Sequence, residues 1–238
     1  MHFIGVYDYT VILTNIGLIS AVLGITQAIH GDYKLAVLCL CLSGVCDAFD
    51  GRVARSKKNR TETEKSFGIQ LDSLCDMVCF GVFPALLCYL MGMRGWLGLA
   101  IEFFYCFCAV TRLAYFNVLE SQRQQTEGGC NKTYHGLPVT SISFLLPVAF
   151  LSQFMISELA FLRLLHILLL VVGFLFILDF PMPKPGLKEI LVLIVIMLSA
   201  AAAVLGYARY RVPGPQYRSN PVVEEWKDEL QEDVPAQP

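Results

Sequence analysis

The sequence predicts an all-α fold, a polytopic bundle of about six to seven transmembrane helices, and three observations carry that expectation. First, 55% of the 238 residues are hydrophobic and 16% charged, with a mean hydropathy of +0.57, against about 25% charged in an ordinary soluble domain. Second, the apolar residues come in long blocks, several near the roughly 20 residues needed to cross the hydrocarbon layer. Third, the blocks are continuous rather than alternating. Backbone polar groups in lipid must be satisfied within the segment, so these are helices and not barrel strands.

The blocks fall at 11–29, 34–54, 67–91, 96–119, 137–156, 159–180 and 187–210. The first follows a short N-terminal segment with no basic n-region and no small-residue cleavage pattern, so it is expected to stay in place. A glycine turn at Gly31 leads into the second. Between the second and third lies a basic loop with Arg52, Arg55, Lys57, Lys58, Arg60 and Lys65 against Glu62 and Glu64. The positive-inside rule makes that loop cytoplasmic. Counting from it puts the N-terminus and 121–136 inside and Gly31 outside. Seven spans would leave the C-terminus outside, against the pull of Arg209 and Arg211. Gly136 and Pro138 open the fifth block, proline suiting a first helical turn where its missing N–H is harmless.

These blocks are expected to make one transmembrane domain over 1–211, the domain that holds whatever site the chain has. The stretch 212–238 opens with Pro213, Gly214 and Pro215 and carries six acids against Arg218 and Lys227. It reads as an acidic, largely disordered tail. Eight of the nine cysteines lie in the apolar blocks without paired zinc spacing, so they are expected to be small core residues. With a net charge of −2, a nucleic-acid partner is not expected.

Ionisable groups within spanning helices are costly and usually functional, and here they cluster. Asp47 and Asp50 are three apart, and Asp72 and Asp76 four apart, so each pair projects from one face of its helix. The intervening loop makes the two helices antiparallel neighbours. If the faces meet, four carboxylates converge near the cytoplasmic surface, and their repulsion calls for cations. An oxygen-only donor set suits Mg²⁺ or Mn²⁺, with Ca²⁺ next. Two such ions would neutralise the four acids and could clamp a phosphoryl group. Gly51, Ala54 and Gly68 remove bulk one turn from the acids, and Arg55 offers a cationic fork suited to phosphate oxygens.

The order Asp47, Asp50-Gly51, Ala54-Arg55, Gly68, Asp72, Asp76 resembles the signature of the CDP-alcohol phosphotransferases, D-x-x-D-G-x-x-A-R, a spacer, then G-x-x-x-D-x-x-x-D. All eight fixed positions match. The spacer, twelve residues between Arg55 and Gly68, is longer than usual, so extra loop must be absorbed at the membrane surface. The resemblance implies that Asp47, Asp50 and Asp72 bind metal, that Asp76 touches the metal site and is the base for the incoming hydroxyl, and that Gly51, Ala54, Arg55 and Gly68 line the cytidine diphosphate pocket. It also suggests a homodimer in the membrane lipid, and the basic loop puts the expected active site at the cytoplasmic face.

The acceptor must be argued from outside the signature. Residues 7–11, 71–74, 80–84, 111–117 and 134–140 resemble the membrane-embedded phosphatidylserine synthase branch of the family, which implies CDP-diacylglycerol and L-serine as substrates. Serine needs a cation for its carboxylate and oxygens for its ammonium. Arg112 is the expected carboxylate ligand. Asn117 is equally a pocket residue or a helix cap. One of Lys132, Tyr134 and His135 is a candidate to close the acceptor pocket, with interfacial anchoring the equal reading of the Lys and Tyr and an ordinary surface role that of the His. Transfer to glycerol phosphate, inositol or inositol phosphate is the nearest alternative, although Arg112, Arg123 and Lys132 are few cations for a phosphorylated acceptor. From other classes, a divalent-cation transporter would hold its acids near the bilayer midplane, and a purely structural protein would pair them with Arg52 and Arg55.

Overall fold

The computed structural model describes residues 5–57, 59–125 and 133–183, with Val195, Ser199, Ala202, Ala203 and Gly206 as isolated helical positions. The seventh expected span and the acidic tail therefore lie outside the described residues, those five positions aside.

Seven α-helices are described: α1 Ile12–Ile29, α2 Tyr33–Ser56, α3 Glu62–Asp76, α4 Phe83–Leu90, α5 Trp96–Gln125, α6 Ile142–Ser152 and α7 Glu158–Ile177. A π-helical turn, Met77–Val82, joins α3 to α4 in one rod. Two three-residue strands, β1 Thr133–His135 and β2 Pro181–Pro183, pair antiparallel. Apart from this ribbon and the connecting turns, the described residues are helical. Among the described residues four helices are long and apolar enough to cross a membrane: Ile12–Ile29, Glu62–Leu90, Trp96–Gln122 and Glu158–Ile177. The protein is an integral membrane protein.

Local chemistry sets the helix starts. The Asp32 side chain caps α2 by accepting from Leu35 N–H at 3.0 Å. Thr61 and Glu64 form a capping box at α3, the Thr61 hydroxyl accepting from Glu64 N–H and the Glu64 carboxylate from Thr61 N–H. At the turn between α1 and α2, Gly31 has φ +83°, a left-handed conformation that glycine adopts without strain.

α1 and α2 form a close antiparallel hairpin. Ser43 Oγ donates to the Gly17 carbonyl and Ser20 Oγ to the Cys39 carbonyl, both at 2.9 Å. Small residues and hydroxyl bridges are the usual means of bringing helices together in lipid, where apolar burial gives little drive. A Cβ on Gly24 would collide with the Phe83 ring, so glycine there lets α4 lean onto the hairpin. On the other side α5 packs on α7, where the Tyr105 and Phe176 rings lie 5.5 Å apart.

The π turn has a specific cause. Residue 84 is Pro, which has no N–H for the Phe80 carbonyl and would clash with it in a regular helix. The turn widens, and the fully buried Tyr105 of α5 donates its hydroxyl to that carbonyl at 2.6 Å. Turns of this kind recur beside functional sites, and this one begins immediately after Asp76.

Two expected spans change shape. The fifth block, 137–156, becomes a 3₁₀ turn, Val139–Ser141, followed by the 11-residue α6 with Pro147 inside it, because Pro138 and Pro147 break up regular hydrogen bonding. The fourth runs on as α5 to Gln125, 30 residues in all, or about 45 Å at 1.5 Å per residue.

Candidate active site

Asp47 and Asp50 project from α2 toward α3, which carries Asp72 and Asp76. The capping box and the hairpin fix where each helix begins, and the i,i+3 and i,i+4 spacing turns each pair inward. Asp50 is buried and accepts from Thr14 Oγ1 at 2.9 Å. The Asp47 carboxyl lies within hydrogen-bonding range of the side chains of Thr140 and Asp76, and Asp50 within range of Asp72. Carboxylate oxygens from Asp47, Asp50 and Asp72 all lie within 4.8 Å of one another. A narrow cavity of about 10 Å³ between α1, α2 and α3 is lined by these α2 acids and Asp76 together with Thr14, Ser43 and Cys46.

Asp72 Oδ1 is buried without a hydrogen-bond partner, and a buried acceptor left unmade is costly. With oxygen-only donors on three sides, an orphaned carboxylate oxygen fits a hard divalent cation. The acid cluster could hold a metal ion. Among the described residues no ion pair links these acids to Arg52 or Arg55, which weakens the purely structural reading.

One turn toward the basic loop, Gly51 and Gly68 present bare backbone. A Cβ on Gly51 would sit 3.5 Å from Arg55 Nη1, and one on Gly68 only 2.6 Å from Arg60 Nη2. Two guanidinium groups thus lie over the faces that the small residues keep low. The loop itself is held by Lys57, whose Nζ bridges Asp8 at 2.8 Å and Glu64 at 3.0 Å. The Lys57 ammonium, followed by the Thr10 hydroxyl, lowers the Asp8 carboxyl to about 2. Lys57 also lowers Glu64, with help from Thr61 N–H, and is itself raised by Asp8 first and Glu64 second. This triad ties the N-terminal segment to the start of α3.

Arg112 is buried, and its Nε donates to the Leu137 carbonyl at 3.3 Å. Asn117 does not cap a helix, since α5 continues to Gln125. Its amide instead links α5 to α3, accepting from Ser73 Oγ at 2.8 Å and donating to Gln70 Oε1 at 3.4 Å. His135 lies in β1, and Lys132 is outside the described residues. Backbone bonds from Gly136 N–H to the Phe180 carbonyl and Leu137 N–H to the Leu175 carbonyl hold this segment against the end of α7. Sequence reasoning missed Thr14, Thr140, Ser73 and the placement of Arg60. A hydroxyl in an apolar helix near the acid-bearing end was the available signal for Thr14. Nothing local marked its partner, 36 residues away.

Fold and site define a class: a polytopic membrane protein with an intramembrane carboxylate centre between two adjacent helices and a small-residue, cation-flanked face above it. A profile of the CDP-alcohol phosphatidyltransferase family matches residues 9–178, and the chain belongs to that family. It is 38% identical over 112 residues to the CDP-diacylglycerol–serine O-phosphatidyltransferase of Saccharomyces cerevisiae, covering 46% of this chain and 39% of that one. It is 30% identical over 196 residues to the protein of the same name from Methanocaldococcus jannaschii, covering 81% and 83%. The archaetidylserine synthase of Methanothermobacter thermautotrophicus is 32% identical over 133 residues, covering 56% and 54%. The chain thus spans about two fifths of the yeast relative's length and most of the Methanocaldococcus one.

Proposed function

We propose that the protein transfers the phosphatidyl group of CDP-diacylglycerol to the hydroxyl of L-serine, giving phosphatidylserine and CMP. The observation that carries this reading is the convergence of four aspartates from α2 and α3 beneath a face cleared by Gly51, Ala54 and Gly68. The names of the relatives support serine as acceptor.

Asp47, Asp50 and Asp72 would hold one or two divalent ions, Mg²⁺ or Mn²⁺ by their hard-oxygen preference. When bound, such ions neutralise charge on phosphoryl oxygens. Thr14 and Thr140 orient the carboxylates of Asp50 and Asp47. Arg55, over Gly51, binds a phosphate oxygen, and Gly51, Ala54 and Gly68 let the nucleotide approach the helices. Asp76 accepts the proton of the serine hydroxyl as that oxygen bonds to the lipid-bearing phosphorus, while the bond to the CMP oxygen breaks on the opposite side. Positioning and charge stabilisation do most of the work in such a displacement. Arg112 takes the serine carboxylate, and Lys132 or His135 is the residue that closes the acceptor pocket. Asn117, bound to Ser73, acts on that pocket through α3.

The basic loop supports a cytoplasmic site, in a bundle of six to seven spans that works as a homodimer, with 212–238 an acidic tail. The test is CMP release by purified full-length protein from CDP-diacylglycerol with serine, glycerol phosphate or inositol offered separately. Release that depends on serine is expected. Release that depends on glycerol phosphate or inositol and ignores serine overturns the acceptor, and unchanged release by Asp76→Asn overturns the mechanism.

A further inference from the structure

The longer spacer is taken up by α3 starting at Glu62, and the short connection left between α2 and α3, residues 57–61, carries a cation that neither the signature nor the acceptor argument uses. Arg60 sits just before the Thr61 cap of α3 and folds back over the helix. Its Nη2 donates to the Glu64 carbonyl at 3.1 Å, and its Nη1 reaches the Ala54 carbonyl at 3.5 Å. The same Nη2 lies 2.6 Å from where a Cβ on Gly68 would be. The guanidinium therefore spans the gap between α2 and α3 on the Ala54/Gly68 face, one turn beyond Asp50 and Asp72.

Its partners do not match its charge. Nε is buried with no acceptor, and among the described residues no carboxylate lies in ion-pair range of Arg60. The nearby acids are taken: Glu64 by Lys57 and Thr61 N–H, Glu62 by Lys65, and Asp8 by Lys57 and Thr10. A guanidinium has five donors in a rigid fork and no acceptor. Leaving one buried donor unsatisfied while the others meet only neutral carbonyls is costly unless an anion completes the set. Lys57 and Lys65 have carboxylate partners, whereas this arginine faces the bare glycine surface.

We infer that Arg60 binds a phosphate oxygen on the nucleotide side of the substrate diphosphate, as a second cationic ligand beside Arg55, supplied by the connection between α2 and α3. The inference rests on the proposed CDP-diacylglycerol reading. It goes further in assigning a residue outside the signature to the nucleotide half of the substrate.

The experiment measures equilibrium binding of radiolabelled, lipid-free CDP to the full-length protein in zwitterionic detergent with Mn²⁺, beside CMP-release kinetics. Arg60→Gln is expected to weaken CDP binding and raise the KM for CDP-diacylglycerol by about tenfold each, the scale of one charge-assisted hydrogen bond, with the KM for serine unchanged. Arg60→Lys, which keeps the charge but not the fork, should fall between. CDP affinity unchanged in Arg60→Gln overturns the assignment. So does a loss seen with CDP-diacylglycerol alone, which would place the guanidinium against lipid headgroups, or a parallel decline of both substrates with thermal stability. Failure of the wild type to bind CDP would instead sink the CDP-diacylglycerol reading, and this assignment with it.

Discussion

Replacing Tyr105 by Phe removes one hydroxyl from a fully buried ring and leaves its packing on Phe176 in place. That hydroxyl is the donor to the Phe80 carbonyl, at 2.6 Å, and residue 84, the usual α-helical donor to that carbonyl, is Pro. The variant therefore strands a buried carbonyl. Such a loss costs about 1–3 kcal/mol in soluble proteins, and side-chain hydrogen bonds between membrane helices reach about 1.7 kcal/mol, so about 1–1.5 kcal/mol is expected. For a chain of this size that lowers the unfolding midpoint by roughly 2–6 °C. In a Pro84→Ala background the new N–H can bond Phe80, so the same Tyr105→Phe change should cost under about 0.5 kcal/mol, a coupling of about 1 kcal/mol between the sites. Thermal unfolding of the four proteins in detergent micelles reads this cycle. CMP release should behave differently. Closing the π turn removes about one residue of helical phase, roughly 100°, between α4 and the helix carrying Asp76, so Pro84→Ala should lose activity even where it restores stability. An equal Tyr105→Phe cost in both backgrounds, or none in either, would refute the carbonyl argument.

Asp76→Asn should lower the rate of CMP release by about 10²–10⁴-fold, the usual range for a lost general base, with CDP affinity little changed; single-turnover kinetics separate the two. Saturating Mn²⁺ should raise the unfolding midpoint by roughly 5–10 °C, the equivalent of a ligand at a hundred times its Kd, and chelation should abolish both this gain and CMP release. Asp72→Asn should lose the metal-dependent gain without destabilising the chelated protein, because it also removes one of four crowded charges. Since the Asp8 carboxyl is held down to about 2 from an ordinary 3.8, its stabilisation is complete above the ordinary value and fades only as pH falls through about 2. Lys57, held up from 10.5, loses its share only as pH rises beyond that value. The stability gap between wild type and Asp8→Asn, followed by thermal melts, should therefore stay flat through neutral pH and close in strong acid.

Much of the site could be read before any coordinates. Three- and four-residue spacing of acids on consecutive helices depends only on helical geometry, and a short antiparallel connection leaves two such faces little choice but to meet. The glycines one turn away belong to the same local pattern. Other features resisted reading for equally physical reasons. Thr14 and Asp50 are 36 residues apart, and no periodicity encodes that contact. Asn117 reads equally well as a cap or a pocket residue until the length of α5 is known, and that length depends on contacts beyond the membrane block. Pro84 announces a break but not its form. The break becomes a π turn because a tyrosine on another helix receives the freed carbonyl.

By itself the sequence determined that this chain lives in a membrane as helices and that four aspartates and their glycines share one level of the bundle, because hydropathy and helical period act locally. Only the tertiary structure decided how the rod from Glu62 to Leu90 is phased, which hydroxyls hold the acids, and where Arg60 lies. Those outcomes depend on which distant groups meet, and in lipid each buried polar group must find its partner across helices or go without.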